Sequence, residues 1–479
     1  MSAAASANPG RRRLCRARAV RARLESRRSR DAEIPGAEPP PGRAESHSGS
    51  DRSGSAGPGP EGAGRAAVPG LAARRAAVQL LHGVTVLGRP LDPMLDRAFA
   101  GMSQPDRGLA RNLAGGVLRH LPGLDALIDS ACARPLPADS RARQALRVAL
   151  VGRLLLDTPP HAAIATILPL LEGGPRRLAH GVLSTLFRTG ATLPLPVLPA
   201  PWGERWAKAW GADEAAAAAR RLAAIPPTDL CLADPGATDE WVARLGGTSL
   251  MPGHVRLPGS RSVEGIAGYE EGAWWVQDIA ASLPARLLGD VKGRRVLDLC
   301  AAPGGKTMQL AAAGAQVTAL DISASRLKRL RSNLERTGLE AKIVQADARL
   351  WQPDAPFDAI LLDAPCSATG TFGRHPDLLY LKASLDLAPL LALQEDLRNA
   401  AAGWLKPGGV LVCAVCSLEP AEGEGGAPSA GLTADPIGPA ELPAGLGPTG
   451  QGTVRTLPSL WEDAGGADGF FIARYRAYS

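Results

Sequence analysis

Segments of strand and helix character alternate from Arg294 onwards, and this alternation constrains the fold more than any other feature. Apolar runs predict strands at 295–300, 316–321, 342–346, 357–363 and 409–416, with helices at about 306–313, 323–337 and 385–405. Such spacing is typical of a doubly wound parallel sheet with right-handed crossovers. We therefore predict an α/β domain over 291–479, in which 421–458 form a loop and GFFIARYRA a final strand pair.

The rest of the 479-residue chain differs in composition and predicts further domains. Residues 1–65 are rich in Ala, Arg, Ser, Gly and Pro without apolar periodicity, so we expect a disordered extension. Residues 66–190 carry apolar side chains three or four apart and predict an all-α bundle, interrupted at breaks such as Pro122-Gly123. Residues 191–290 predict a linker and a small α+β module, with strands at 230–233 and 254–257.

The charge is distributed unevenly along the chain. The net charge is +7, but residues 1–30 contain ten Arg and one acidic residue, so the remaining chain is slightly acidic, at −2. Any RNA-binding surface on the body is therefore a local patch. The Arg-rich start is compatible with an organelle transit peptide, an RNA-holding arm or a dispensable extension. Seven cysteines and no long apolar run predict a soluble, cytoplasmic protein without membrane contact.

A glycine-rich turn, LDLCAAPGGKT, follows the first strand of the α/β domain. It is not a P-loop, because the first glycine of that motif falls on Cys300, and it lacks the third glycine of a dinucleotide fingerprint. Asp321, Asp347 and Asp363 end the next three strands. Ligands of this architecture bind at the carboxyl edge of the strands, so these residues predict a nucleotide-containing cofactor there.

Two cysteines, Cys366 and Cys416, each follow an apolar run by a short step and are expected at the same edge as Asp363. A thiolate is a strong nucleophile, and a cation such as Lys306 raises the thiolate fraction. Cys413 and Cys416 also form a C-x-x-C pair. Positions three apart on a strand face opposite ways, and no second pair completes four ligands, so we predict neither a metal site nor a redox pair.

These motifs together resemble the Sun/RsmB family of RNA cytosine-5 methyltransferases, which use S-adenosyl-L-methionine. The similarity runs from about Leu71 to the C-terminus. The segments that carry it are EGAWWVQDIAASLPARLL, LDLCAAPGGKT, ALDIS, QADA, FDAILLDAPCSATGTFGRHPD, LKPGGVLVCAVCS and DGFFIARYRA. The helical region resembles the NusB-like RNA-binding domain of bacterial members, and the α/β domain is then a Rossmann-like methyltransferase domain.

The resemblance implies a role for each site residue. The turn residues Cys300, Ala301, Ala302, Pro303, Gly304, Gly305 and Lys306, with Asp321, would hold the methionine and ribose parts of the cofactor, and Asp347 its adenine. Asp363 would lie between cofactor and target base. Cys416 matches the nucleophile and Cys366 the thiol that assists product release.

The resemblance also implies the reaction: methyl transfer to carbon 5 of a cytosine in RNA, with 16S rRNA as the expected substrate, through a covalent Cys416 adduct. The alternative is a catalytically weak or inactive assembly factor of the ribosome that binds RNA or cofactor. Three departures from the family pattern stand out. Cys413-Ala414-Val415 replaces Tyr-x-Thr, Leu378, Leu379 and Tyr380 replace basic and aromatic residues, and a loop replaces the helix after 422–424. Nothing in the sequence indicates an oligomeric state.

Overall fold

The computed structural model describes residues 69–259, 263–424 and 429–478, and residues 68–479 form one compact unit. The elements follow the predicted fold class: helices first, then a small mixed region, then alternating strands and helices. The disordered extension predicted over residues 1–65 lies outside the described residues. Within the described ranges, no helix has both the length and the apolar character that crossing a membrane requires.

Six α-helices form the first part of the described chain. They are α1 (Leu71–Thr85), α2 (Asp92–Ala98), α3 (Gln104–Ser130), α4 (Arg141–Leu154), α5 (Pro160–Ile167) and α6 (Gly173–Arg188). The apolar spacing predicted for this region forms a stripe on α3, where Leu113, Val117, Leu124 and Ile128 are fully buried in the common core. Burying one such side chain stabilises the fold by about 1.5–3 kcal/mol. This stripe therefore contributes strongly to bundle stability.

The predicted break at Pro122-Gly123 is wrong, because α3 continues through both residues. A proline in a helix interior costs about 3 kcal/mol through its missing N–H and its steric clash. Burial of Leu118 and Leu124 on either side offsets that cost. Gly123 also allows close packing, since a Cβ at this position would lie 2.9 Å from the ring of Pro194.

A small antiparallel sheet follows the Pro-rich segment. Helices α7 (Trp202–Trp210) and α8 (Ala212–Ala223) precede strands β1 (Thr228–Leu232), β2 (His254–Leu257) and β3 (Trp274–Val276), with α9 (Thr238–Leu245) after β1. The strand order is β2-β1-β3. The two strands predicted here are confirmed. Strand β3 was not predicted, because three residues are too few to show an alternating pattern.

The large sheet contains the strands that the alternation predicts. They are β4 (Arg295–Leu299), β5 (Gln316–Asp321), β6 (Lys342–Gln345), β7 (Phe357–Asp363) and β8 (Leu405–Val415). The remaining strands are β9 (Leu432–Ala434), β10 (Val454–Thr456) and β11 (Phe470–Ala477), and the order is β10-β11-β8-β7-β4-β5-β6, with β9 also on β11. The five strands β4 to β8 pair in parallel, as predicted.

The C-terminal prediction is corrected in two respects. GFFIARYRA contains one strand, β11, rather than a pair, and β11 runs antiparallel to β8. Residues 421–458 are not wholly loop, because they contain β9 and β10, which both pair with β11. Three-residue strands among glycines and prolines carry no periodic signal of their own, and they form because β11 offers them an edge to pair with.

Helices α10 (Ile279–Arg286), α11 (Gly305–Ala312) and α12 (Ala324–Thr337) pack on this sheet, the short helix α13 (Leu378–Leu381) packs against α7 and the helical bundle instead, and α14 (Ala388–Gly403) also packs on the sheet. The predicted ends of α12 are confirmed. The Ser323 hydroxyl accepts the N–H of Arg326 at 3.4 Å, and Gly338 follows the helix at φ 65°. Both are standard helix-capping arrangements.

Candidate active site

The carboxyl ends of β4 and β7 lie at the point where the strand order reverses. The chain runs from β4 through β5 to β6 on one side, then returns to β7 on the other side of β4. In open α/β sheets, the crevice outside this reversal is the ligand-binding position. The turn after β4 and the loops after β5, β7 and β8 therefore border one crevice.

The glycine-rich turn connects β4 to α11. Cys300 has φ 64°, in the left-handed region that side chains rarely adopt, so the surrounding contacts hold this turn. Ala301 donates its N–H to Leu320 O at 3.1 Å, and Pro303 O accepts from the Asn333 side chain at 3.0 Å. Burial, followed by the charges of nearby aspartates, raises the pKa of Cys300, which favours its neutral thiol form.

Gly304 and Gly305 complete the turn at the start of α11. Gly304 has φ 107°, and a Cβ there would lie 3.0 Å from the side chain of Leu330 on α12. A Cβ on Gly305 would lie 3.3 Å from Gln277. Both glycines thus permit close approach, and the N-terminus of α11 opens at the crevice.

Asp321 is buried at the end of β5. Its Oδ2 accepts the N–H of Ala302 at 3.1 Å, and its Oδ1 accepts the N–H of Ser323 at 2.8 Å. The guanidinium of Arg326 lies 3.5 Å away. Asp321 therefore holds the turn and starts α12, while each oxygen keeps a lone pair for a further donor. The next residue, Ile322, is 63% exposed although it is apolar.

Asp347 makes its side-chain contacts away from the turn. It forms a two-pronged pair with Arg349, at 3.0 and 2.6 Å, and also accepts the backbone N–H of Arg349 at 3.0 Å. The hydrogen bond from the Arg349 side chain is the largest cause of its lowered pKa. The adenine role that the resemblance implies for Asp347 remains a prediction.

Asp298, on β4, is a site residue whose role was not predicted. It is fully buried, and its Oδ2 accepts the hydroxyl of Thr307 at 2.5 Å. Burial raises the pKa of Asp298 to about 7. Among the described residues, its Oδ1 has no hydrogen-bond partner. Its place on β4, just before the glycine-rich turn, could be read from the sequence. An acidic residue near a strand end does not by itself indicate a buried carboxyl group.

Lys306 and Asp363 form an ion pair between the turn and the end of β7. Nζ of Lys306 donates to Oδ2 of Asp363 at 2.8 Å, and the ring of Phe470 lies 5.4 Å from Nζ. Burial lowers the pKa of Lys306, but the charge and the hydrogen bond of Asp363 outweigh it, so the pKa is raised. A charged ammonium is therefore held beside the thiol loops.

The structure brings Cys366 and Cys416 together, with their sulfur atoms 3.4 Å apart. They meet because β7 and β8 are parallel neighbours, with Asp363 opposite Ala414. The pKa of Cys416 lies well above its usual range, owing first to the hydrogen bond with Cys366 and then to burial; Lys306 opposes this shift. Both cysteines are free thiols.

Cys413 lies on the other side of the sheet from Cys416. Cys413 packs in the cluster beneath α14, whereas Cys416 packs in the cluster beneath α10. Burial raises the pKa of Cys413 to about 12. The opposite orientation of the C-x-x-C pair is confirmed. Within the described ranges, no cluster of His, Cys, Asp and Glu side chains is arranged to hold a metal ion.

Residues 378–380 have a structural role that the sequence did not predict. Leu379 is fully buried against Trp202 and Trp206, and the Tyr380 hydroxyl donates to Leu118 O on α3 at 2.7 Å. Just before them, Asp377 accepts the N–H of Leu91 at 2.9 Å. The residues that depart from the family pattern at 378–380 therefore form an interface between the helical region and the segment after Cys366.

A mixed sheet with a parallel core, a glycine-rich turn, strand-end acids and an N-terminal helical domain is the arrangement of a Rossmann-like methyltransferase with an appended helical domain. Residues 285–476 match the family described as 16S rRNA methyltransferase RsmB/F, and residues 71–172 match the NusB family. The chain belongs to this 16S rRNA methyltransferase family, which confirms the resemblance seen in the motifs. It is an RNA methyltransferase.

Curated relatives extend over most of the chain. The ribosomal RNA small subunit methyltransferase B of Klebsiella pneumoniae subsp. pneumoniae is 36% identical over 439 residues, covering 84% of this chain and 97% of that protein. The protein of the same name from Escherichia coli O157:H7 is 34% identical over 387 residues, covering 73% and 87%. The crystal structure of PH0851 shares the fold, with a TM-score of 0.61 at 23% identity over 85% of this chain and 98% of that one.

Proposed function

We propose that the protein transfers a methyl group from S-adenosyl-L-methionine to carbon 5 of a cytosine in small-subunit ribosomal RNA. The observation that carries the proposal is the pair of free thiols, 3.4 Å apart, beside the Lys306–Asp363 ion pair. Methylation of a ring nitrogen or a hydroxyl needs no thiol, because a lone pair attacks the methyl group directly. Carbon 5 of cytosine has no such lone pair and needs activation by a nucleophile.

The residues of the turn fit S-adenosyl-L-methionine. Oδ1 of Asp298 is a buried acceptor without a partner in the described protein, suited to a polar donor of the cofactor. The remaining lone pairs of Asp321 suit a ribose hydroxyl pair, and the exposed side chain of Ile322 suits an aromatic base. When bound, the cofactor supplies an electrophilic methyl group carried on a sulfonium sulfur.

Cys416 acts as the nucleophile in this proposal. Its proton passes to solvent, and its sulfur electron pair forms a bond to carbon 6 of the cytosine. The π electrons between carbons 5 and 6 move to carbon 5, which would then bond the methyl group as the bond from that group to the sulfonium sulfur breaks and its electron pair stays on the sulfur. Lys306 favours the thiolate by its charge, and Asp363 is placed to hydrogen-bond the nitrogen edge of the ring.

Cys366 acts as the base that completes the cycle. As a thiolate it removes the proton from carbon 5, the C–H electron pair restores the double bond, and Cys416 leaves carbon 6 as a thiolate. The distance of 3.4 Å between the sulfur atoms supports this pairing, because both sulfurs must reach adjacent carbons of one ring.

The helical domain supports an RNA substrate. It belongs to the NusB family and lies in front of the catalytic domain, and the relatives reported above are named for the small ribosomal subunit. The target base must leave its stack to reach the crevice, which costs a few kcal/mol and is cheapest in RNA loops. RNA contacts made by the helical domain would offset this cost.

The proposal is tested by bisulfite sequencing of ribosomal RNA from cells with and without the gene. We expect one small-subunit cytosine to lose protection on deletion, to regain it with the wild-type gene, and not with Cys416→Ala. Unchanged protection in the deletion strain, together with altered subunit assembly, would favour the assembly-factor alternative.

A further inference from the structure

Buried hydroxyl groups connect the two loops that carry the thiols. Ser367 follows Cys366 and Ser417 follows Cys416, and the two serine hydroxyl oxygens are 2.9 Å apart. The hydroxyl of Thr369 lies 3.1 Å from that of Ser367 and 3.2 Å from that of Ser417. All three hydroxyls are at most 1% exposed, so their hydrogen bonds are made within the protein.

The carboxylate of Glu422 completes this network. Its Oε1 accepts the backbone N–H of Ser367 at 2.8 Å, and its Oε2 accepts the hydroxyl of Ser417 at 2.6 Å. Gln394 on α14 donates to the same Oε1 at 3.0 Å and to the carbonyl of Pro365 at 2.9 Å. One buried acid thus contacts the residue next to each thiol.

The strands themselves end before the thiols. β7 ends at Asp363 and β8 at Val415, and beyond these ends the loops share a backbone hydrogen bond from Gly370 to Cys416 O at 3.0 Å. Hydrogen bonds to a buried charged acceptor are stronger than those between neutral groups. Glu422 is therefore well placed to determine how far the two loops stand apart.

We propose that Glu422 is a positioning residue that sets the distance between the sulfurs of Cys366 and Cys416. The inference rests on the proposed thiol chemistry and deepens it. Glu422 accepts from both loops at once, so its loss weakens the connection between them. The expected consequence is slower methyl transfer and slower release of the RNA adduct, without loss of cofactor binding.

The test measures the sulfur spacing independently of methylation. Diamide oxidises two nearby thiols to a disulfide: two S–H bonds break, one S–S bond forms, and diamide takes up two electrons and two protons. A disulfide requires an S–S distance of about 2.05 Å, so its rate of formation reports how readily the two sulfurs approach. Cross-linking of Cys366 to Cys416 is followed by peptide mass spectrometry in the full chain.

Glu422→Gln is the main variant, because it keeps the shape and replaces one acceptor with an N–H₂ group. We expect disulfide formation and single-turnover methyl transfer each to slow by about tenfold or more, with S-adenosyl-L-methionine affinity unchanged. Ser417→Ala removes a hydroxyl partner without adding bulk and should show the same pattern. The double variant should be no slower than the slower single variant, because both changes break one network.

Glu419→Gln is the matched control. Glu419 is equally buried and lies three residues away, but its carboxylate faces Arg205 and Trp206 rather than the two loops. It should cross-link and methylate at the wild-type rate. If disulfide formation and methyl transfer slowed equally in Glu419→Gln, general destabilisation would explain the effect of Glu422→Gln, and the proposal would be overturned.

Failure of this proposal is distinguishable from failure of the proposed function. Wild-type cross-linking and methylation in Glu422→Gln, with methylation abolished in Cys416→Ala, would reject the positioning role alone. Normal methylation in Cys416→Ala would reject the thiol mechanism itself, and the positioning role with it.

Discussion

On the β5–β6 side of the crevice, the acidic side chains of Asp321 and Asp347 accept hydrogen bonds from neighbouring residues, whereas on the β7–β8 side the two thiols contact each other. Asp321 accepts two backbone N–H groups, and Asp347 is paired with Arg349. Cys366 instead lies against Cys416. We therefore expect a change on the first side to affect the architecture and cofactor affinity together, and a change on the second side to affect the rate of reaction.

The largest expected effect is that of Cys416→Ala on the thiol side. Loss of a nucleophile typically lowers the rate by several powers of ten, so we expect methyl transfer to fall at least about 10³-fold. Affinity for S-adenosyl-L-methionine, measured by calorimetry, should stay at the wild-type value. Turnover near the wild-type rate would show that the thiol side does not determine the rate of reaction.

Cys366→Ala sharpens the comparison within the thiol side. Without the second thiol, the proton on carbon 5 is removed slowly, so a covalent protein–RNA species should accumulate and survive a denaturing gel. Loss of a general base typically costs roughly 10²- to 10⁴-fold in turnover. Normal turnover without a trapped species would contradict the release role of Cys366.

On the cofactor side, Asp321→Ala should act on binding and stability together. The N–H groups of Ala302 and Ser323 lose their acceptor, which lowers the free energy of unfolding by about 1–3 kcal/mol. Loss of contacts to the ribose should weaken cofactor binding about 10- to 100-fold, equivalent to about 1.4 kcal/mol per tenfold change. Asp321→Asn, which keeps one acceptor, is the control, and an unchanged Kd in Asp321→Ala would place the cofactor elsewhere.

The pH dependence tests the raised pKa of Cys416. A thiol whose pKa lies above its ordinary value is mostly protonated at neutral pH, and its reactive thiolate fraction increases with pH. We expect kcat/KM to rise about tenfold per pH unit between about pH 6.5 and 8.5, because this parameter reports groups of the free enzyme. A flat profile over that range would contradict attack by a protonated resting thiol that must first ionise.

The smallest effect is expected for Cys413→Ala, which lies outside the crevice. It removes a packing group on the opposite side of the sheet, so the free energy of unfolding should fall by about 1 kcal/mol. The rate of methylation should stay within about twofold of wild type. Abolished activity in this variant would revive the redox interpretation of the C-x-x-C pair.

The part of the site that follows from strand topology was predictable from the sequence. The alternating pattern predicts β4 to β8, and the rule that parallel strands share a carboxyl edge predicts that Cys366, Cys416 and Asp363 lie near one another. Both inferences need only that the strands run parallel and require no details of packing. The packing role of Cys413 likewise follows from the two-residue period of a strand.

The parts of the site that depend on contacts distant in sequence were not predictable. Glu422 contacts Ser367 and Gln394, which lie 55 and 28 positions away, so no local pattern indicates its partners. The side-chain pairing of Asp347 with Arg349 was equally hidden, because an arginine two positions on is common at a solvated surface. Helix α3 shows the same limit, since tertiary burial outweighs the effect of its internal proline.

The contacts of Asp377 and Tyr380 with the helical domain have a consequence for substrate choice. Asp377 accepts the N–H of Leu91, and Tyr380 donates to the backbone of Leu118, only a few residues beyond the loop of Cys366. The distance between the helices and the sulfurs is thereby constrained. We therefore expect an RNA held by the helices to present only bases that lie one fixed span away, so that target choice would depend partly on length along the RNA.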